Sequence, residues 1–409
     1  MRIGETMSCK HKQAHIDKDR FKQIFRDHWT EFKNTSPRYN SLYYDEVINK
    51  MLDCGNPEKM GYAGFRCLSC GLFHTVAMSC KSTFCLSCAK PYTDSWIDFI
   101  GRRLIPGVVY RHTVLTVPDF LRIYFYRDRS LLDPFMRLAQ PCLKDLFKTA
   151  FGLELDIGLV VVLQTFGRPG NYNVHLHIIT SSGGVTKEGK WKAISFIPYD
   201  ILHRKWQYHL LNFMKEHLPQ TPSVKRDIDR GWKQFPKGFV AHIQKGEVPQ
   251  GGKGIAKYLA KYVVSPPISV RRIEMYDGIN VRYWYNDHKS GKIQHETIPA
   301  LLFIGRMVQH ILPKGFQRIR YYGFHSNVNY EQMQDKIRQL MPHKQPTDPL
   351  GYRVMPRKSF QLLFWETFGK NPLTCPSCGD TMQLECLWHP KYGFIADMMH
   401  SYSEYQDTG

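Results

Sequence analysis

Between residues 105 and 185 the apolar residues of this chain come in dense runs separated by turn formers. Residues 108–117 are a β-rich run that ends at Pro118. Residues 156–166 carry Gly-Leu-Val-Val-Val-Leu, the composition of a buried strand, and residues 167–173 are a turn rich in Gly, Pro and Asn. Residues 174–180 form a second buried run, ended by Ser181-Ser182-Gly183-Gly184. Two such strands joined by a short turn predict an antiparallel hairpin at the centre of a sheet.

Helical spacing appears elsewhere. Over residues 15–33, Phe21, Ile24, Phe25, His28 and Phe32 share one stripe, while Lys18, Arg20, Lys22, Arg26 and Lys33 mostly take the other face. Residues 130–150 and 201–217 also read as helices. Gly251-Gly252-Lys253-Gly254 opens a helix over residues 255–264, and Ser265-Pro266-Pro267 stops it. Residues 279–298 alternate like a strand pair with its turn at 287–291. Residues 54–88 are dominated by cysteine, with few helical or strand runs. No repeat or low-complexity segment is present.

The expected fold is α+β, a central antiparallel sheet flanked by helices, with a zinc-binding region before it and a small knuckle-like segment after it. The expected units are 1–100 (N-terminal helix and zinc-binding domain), 101–275 (catalytic domain), 276–345 (basic and aromatic extension) and 346–409 (C-terminal segment).

Charge narrows the function. The formal net charge of +20 over 409 residues points to a polyanionic partner, of which nucleic acid is the usual one. Aromatic residues make up 13% of the chain, and bases stack on such rings while Lys and Arg pair with phosphates. No run of about 18 apolar residues exists, so no membrane span is expected. Residues 1–20 are polar and do not read as a secretory signal. The eleven cysteines are then expected in a reducing, cytoplasmic compartment, where clustered thiols are metal ligands rather than disulfides.

The candidate chemistry lies in the second buried strand, Val174-His175-Leu176-His177-Ile178. Alternate residues of a strand point the same way, so His175 and His177 share a face. Gln164, in Leu163-Gln164-Thr165-Phe166-Gly167, sits at the end of the preceding strand and is the candidate third ligand. Two imidazoles, one amide oxygen and open positions suit Mg²⁺ or Mn²⁺. A divalent metal there would orient a scissile phosphate and neutralise its developing charge. Tyr258 and Tyr262 are four apart in a helical segment and share a face. A neutral phenol is a weak nucleophile, and Lys261 between them is placed to stabilise the phenolate or the leaving oxygen. Attack by tyrosine stores the bond energy as phosphotyrosine and lets a strand be rejoined without an external energy source.

The cysteines offer two further sites. Cys67-x₂-Cys70 and Cys85-x₂-Cys88 are two knuckles able to close one tetrahedral zinc, with Cys54, Cys80 and His74 left over nearby. Cys375-Pro-Ser-Cys378 with Cys386 and His389 fits a second zinc knuckle. Arg271, Arg272, Arg306, Lys314, Arg318 and Arg320 are candidates to track phosphates, with Tyr321, Tyr322 and Trp284 to stack on bases.

These motifs together resemble a known group. Val174-His175-Leu176-His177-Ile178 resembles the His-hydrophobic-His (HUH) motif of single-strand endonucleases, and Tyr258-x₂-Lys261-Tyr262 resembles their two-tyrosine arrangement. Within that superfamily the chain looks most like rolling-circle transposases of bacterial insertion sequences, the insertion-sequence-ninety-one family and its common-region relatives. The cysteines of residues 67–88 are similar to that family's zinc-binding domain, and His112-Thr-Val-Leu-Thr-Val-Pro118 resembles its first catalytic strand. Gln164 sits where relatives carry His or Gln. Residues 312–323, from Leu312-Pro313-Lys314-Gly315-Phe316 to Arg320-Tyr321-Tyr322-Gly323, resemble its basic distal motif. The resemblance implies a bacterial, nucleoid-associated enzyme that nicks single-stranded DNA at element ends through 5′-phosphotyrosine and transfers it to target DNA. It implies no membrane and no small-molecule substrate. Two other readings stand beside it: an HUH replication initiator or relaxase, and a non-catalytic zinc-dependent DNA-binding protein.

Overall fold

The computed structural model describes residues 19–243, 267–287, 290–328, 330–340, 359–369 and 371–397. Five antiparallel strands build the main sheet, in the spatial order Ile319–Tyr322, Leu159–Phe166, Tyr172–Ser181, Tyr110–Thr116, Ala241–Ile243. The runs read as a central hairpin are the second and third of these, here termed the Gln strand (Leu159–Phe166) and the His strand (Tyr172–Ser181). Both are buried along nearly their whole length because helices cover both faces of the sheet.

On one face, Leu115, Val161, Leu163, Leu176 and Ile178 pack against Phe125, Leu146, Trp206 and Ile228 of four helices, Asp119–Arg127, Ala139–Phe151, Tyr199–His217 and Pro222–Gln234. On the other, Val160, Val162 and Ile179 lie under Trp96 and Ile100 of the Leu86–Arg103 helix. Full burial of each such side chain is worth roughly 1.5–3 kcal/mol. The sheet is therefore a rigid floor for anything mounted on it.

A second core joins distant segments. The Arg20–Thr35 helix buries Phe21, Ile24, Phe25 and Phe32 as its stripe predicts, with Trp29 added. It packs on Phe303 and Met307 of the Ala300–Val308 helix and on Ile273, Val281 and Ile298 of a three-stranded antiparallel sheet (Ile273–Tyr276, Asn280–Asn286, Ile293–Pro299). Part of its basic face is used internally: Lys22 Nζ donates to Cys54 O at 2.6 Å, and Lys33 pairs with Asp45 at 3.1 Å.

The cysteine-rich stretch holds more regular structure than its sequence predicts. Strands Tyr62–Cys67 and Phe73–Ala77 form a hairpin, and the Leu86–Arg103 helix follows despite Pro91 inside it. That hairpin joins Met382–His389 and Gly393–Asp397 in a four-stranded sheet, with Tyr62–Cys67 paired to Met382–His389. The two ends of the described chain thus share one sheet. Ile319–Tyr322, from the expected basic extension, is the edge strand of the main sheet. Among the described residues no helix is long and apolar enough to cross a membrane.

Two buried histidines outside the candidate site contribute to the acid sensitivity of this fold. His310 contacts Thr165 Oγ1 at 3.1 Å and Gly170 O at 3.0 Å, and His325 contacts the Tyr110 hydroxyl at 3.0 Å. Burial pushes each pKa down to about 3 from the usual 6.5. The unfolded chain takes up these protons near pH 6.5, and the folded protein does not until about pH 3. Stability is therefore complete above pH 6.5 and falls as the pH drops toward 3, by an amount on the order of a few kcal/mol. Denaturant midpoints between pH 8 and pH 4 should show this loss, and His310→Gln or His325→Gln should flatten it.

Candidate active site and the cysteine tetrads

The pleat of the central strands places Gln164, His175 and His177 on one face. Gln164 lies directly opposite His175 across the ladder, and a register shift follows at the end of the Gln strand between Gln164 and Phe166. His175 Nε2 is 3.1 Å from His177 Nε2, and His177 Nε2 is 3.1 Å from Gln164 Oε1. Adjacent ligands of a six-coordinate ion with bonds of about 2.1 Å are about 3 Å apart. Both spacings therefore suit neighbouring ligands of a single divalent ion.

Protonation agrees with that fit. His175 Nδ1 is 2.7 Å from Asn173 O. A carbonyl only accepts, so Nδ1 carries the hydrogen and Nε2 presents its lone pair. Burial lowers the His175 pKa to about 4, and burial with neighbouring positive charge holds His177 well below the ordinary value. Both rings are neutral at pH 7, as a metal ligand requires.

A third histidine belongs to this face. His112, on Tyr110–Thr116, sits with Nε2 3.0 Å from His177 Nδ1, and the two rings stack 5.1 Å apart at 13°. It was not among the candidate site residues, although its place two residues before Val114, which pairs with His177, puts it on the same face. Tyr258, Lys261 and Tyr262, with the Gly-rich opener, lie outside the described residues.

The basic candidates divide. Arg306 is bonded to Tyr283 and pairs with Glu296 at 2.8 Å, and Arg320 pairs with Asp133. Arg272 donates to Trp284 O at 2.7 Å and Arg168 O at 2.5 Å. Tyr321 lies 4.0 Å beneath the Arg103 guanidinium, and Tyr322 packs on the main core. These groups hold the fold together. Arg271 and Lys314 are exposed. Arg318 is half-buried, and burial lowers its pKa to about 10, so it keeps its charge at pH 7.

The cysteines form two tetrads, grouped differently from the expectation. Cys54, Cys80, Cys85 and Cys88 make one, and Cys67, Cys70, Cys375 and Cys378 the other, with all four sulfurs of each within 4.8 Å of one another. Sulfur separations within the tetrads include 3.4 Å (Cys67–Cys378), 3.5 Å (Cys54–Cys88) and 3.7 Å (Cys70–Cys375). The edge of a zinc tetrathiolate with 2.3 Å bonds is about 3.8 Å, and a disulfide would be about 2.05 Å. Both sets fit zinc.

Three candidate ligands fall outside the tetrads. The Cys386 sulfur packs on the backbone of Gly64, where a methyl group would come within 2.6 Å of it. His389 stacks on Tyr392 at 5.0 Å and accepts from Lys391 N. His74 is exposed opposite Phe65. The expected pairing of Cys67-x₂-Cys70 with Cys85-x₂-Cys88 fails because the first knuckle is the turn of a hairpin that meets the C-terminal knuckle instead.

Comparisons with known proteins agree with this layout. Residues 158–332, which contain the His and Gln strands, match a family described as "Putative transposase". Residues 24–117 match the "Transposase zinc-binding domain". The first tetrad lies wholly inside that domain, and the second takes Cys375 and Cys378 from beyond it. The transposase for insertion sequence element IS801 of Pseudomonas savastanoi pv. phaseolicola is 31% identical over 350 residues, covering 82% of this chain and 82% of the relative. A protein named putative transposase y4qJ, from Sinorhizobium fredii, is 26% identical over 338 residues, covering 76% and 81%. No solved structure matches significantly. The chain is thus a transposase homologue with a zinc-binding domain. It belongs to the IS91 family of transposases.

Proposed function

We propose that this protein is a rolling-circle transposase of the HUH type, which nicks and rejoins single-stranded DNA at element ends. The observation that carries this reading is the convergence of Gln164, His175 and His177 on one buried sheet face in a transposase-family chain. Those three residues would hold Mg²⁺ or Mn²⁺, which when bound supplies positive charge to orient and polarise the scissile phosphate.

His112 acts as a positioning residue. By accepting the His177 Nδ1 hydrogen at Nε2, it leaves the His177 Nε2 lone pair facing the ion. Tyr258 or Tyr262 supplies the nucleophile. Its oxygen attacks phosphorus as the phenolic proton leaves, the bond to the 3′ oxygen breaks, and the strand departs with a 3′ hydroxyl. The 5′ end stays on tyrosine. Lys261 stabilises the charge on the tyrosine or leaving oxygen. Attack by a 3′ hydroxyl on the phosphotyrosine reverses the step, and a second tyrosine permits two transfers in one site. Of the basic candidates among the described residues, Arg271, Lys314 and Arg318 are left available to phosphates, and the DNA-bound enzyme would work in the bacterial cytoplasm.

The test is incubation with end-labelled single-stranded element ends, with and without Mg²⁺ or Mn²⁺. A labelled protein band that survives denaturation is expected. It should vanish with chelator, return with Mn²⁺, and be absent from Tyr258→Phe/Tyr262→Phe. An adduct that persists in the double variant removes the nucleophile assignment.

A further inference from the structure

A cavity of about 520 Å³ opens beside the Gln strand, between it and the Leu86–Arg103 helix. Leu163 and Thr165, the neighbours of Gln164, both line it. Its volume lies in the range of small-molecule sites. The helix contributes Tyr92, Trp96 and Phe99, at intervals of four and three residues and therefore on one face. Phe166 and Phe316 add rings from other walls, and Arg318 is the cation.

The lining is chemically one-sided. No aspartate or glutamate is among the described residues that line it. The Arg318 Nε donates to Leu163 O at 3.0 Å, and no carboxylate among the described residues pairs with this guanidinium. The Trp96 indole N–H is buried without an acceptor among the described residues. Tyr92 and Phe99 are 39% and 40% exposed, an unusual position for two large rings on a helix that otherwise packs on a sheet. Unspent donors, an uncompensated cation and open aromatic faces call for a ligand that is planar, rich in acceptors and anionic.

We infer that this cavity receives one unpaired nucleotide of the DNA strand, its base stacked on Tyr92 and Phe99 and its phosphate held by Arg318. This rests on the single-strand reading above and adds to it a base-sized subsite at the end of the Gln strand. The zinc-binding region then takes a direct part in placing the strand. Its following helix forms one wall of the slot that fixes where the strand lies relative to the histidines. Stacking tolerates every base, so the slot sets register more than sequence.

The test uses the full-length protein and a single-stranded oligonucleotide of the element end, with 2-aminopurine placed at successive positions. One position should lose most of its fluorescence on binding. Tyr92→Ala/Phe99→Ala should restore that fluorescence and weaken strand binding at least 10-fold, since stacking on each ring contributes several-fold. Zinc content and melting temperature should stay at wild-type values, because both side chains are partly exposed. Quenching and affinity unchanged in the double variant overturn the cavity assignment while leaving the nicking reading intact. Wild-type protein that binds no single strand overturns both. A free deoxynucleoside monophosphate that displaces the quenched base at equal concentration assigns the cavity to a soluble nucleotide and overturns the strand assignment.

Discussion

Cys375→Ser/Cys378→Ser protein will retain one zinc per chain where the wild type holds two, and its four-stranded sheet will come apart. The buried core of that sheet is Phe65, Cys67, Cys375 and Met382, and two of the four are members of the same tetrad. Burial of so few side chains contributes only a few kcal/mol, too little to order four strands. Structural zinc binding is worth on the order of 10 kcal/mol at neutral pH, comparable with the whole stability of a typical domain. Removing half of the ligands removes most of that. Metal analysis and limited proteolysis are the checks, with cleavage expected around residues 370–397. Two zinc ions retained and unaltered protease resistance would contradict the shared site. Because Cys67 and Cys70 lose their ion too, the 62–77 hairpin should become sensitive together with the C-terminal strands. Cys386→Ser should do neither, since its sulfur only packs on Gly64.

His175→Ala and His177→Ala will each lower strand cleavage by at least a thousandfold. Loss of one of three ligands removes most of the affinity for the ion, and the charge that the ion supplies to the phosphate is worth several kcal/mol. Folding should survive, because each histidine lies on a sheet held by apolar contacts on both faces. His112→Phe makes the finer distinction. Phenylalanine keeps the stacking on His177 and loses the hydrogen bond, so affinity for Mn²⁺ should fall about 10- to 100-fold while saturating Mn²⁺ restores cleavage. Titration calorimetry with Mn²⁺ reads this directly, and an affinity within twofold of the wild type would deny His112 its positioning role.

How much of this was legible in the sequence follows the range of the interactions. The His and Gln strands were readable because buried runs and a Gly-Pro-Asn turn are local patterns, and alternation alone put His175 and His177 on one face. The convergence with Gln164 needed the ladder register, which the hairpin supplied. His112 was read only as the start of a strand resembling the family's first catalytic strand, and its role at the site was missed because its partner is 65 residues away. The cysteine grouping failed for the same reason. Knuckle spacing identifies which thiols bind metal, but the pairing of Cys67 with Cys378 spans 311 residues and is set by sheet pairing. The Leu86–Arg103 helix was hidden by its cysteines and Pro91, and the ion pairs of Arg306 with Glu296 and Arg320 with Asp133 are set by the fold and carry no local signature. Family membership came from the ensemble of motifs, which the relatives share across most of the chain.

The central claim is covalent chemistry on tyrosine at this histidine face. Its most direct test is mass-spectrometric mapping of the adduct formed with single-stranded element ends in Mn²⁺. A nucleotide linked through phosphate to the phenolic oxygen of Tyr258 or Tyr262 is expected, absent in His175→Ala/His177→Ala. Strand cleavage that leaves no protein-linked nucleotide, or a linkage to any other residue, would contradict it.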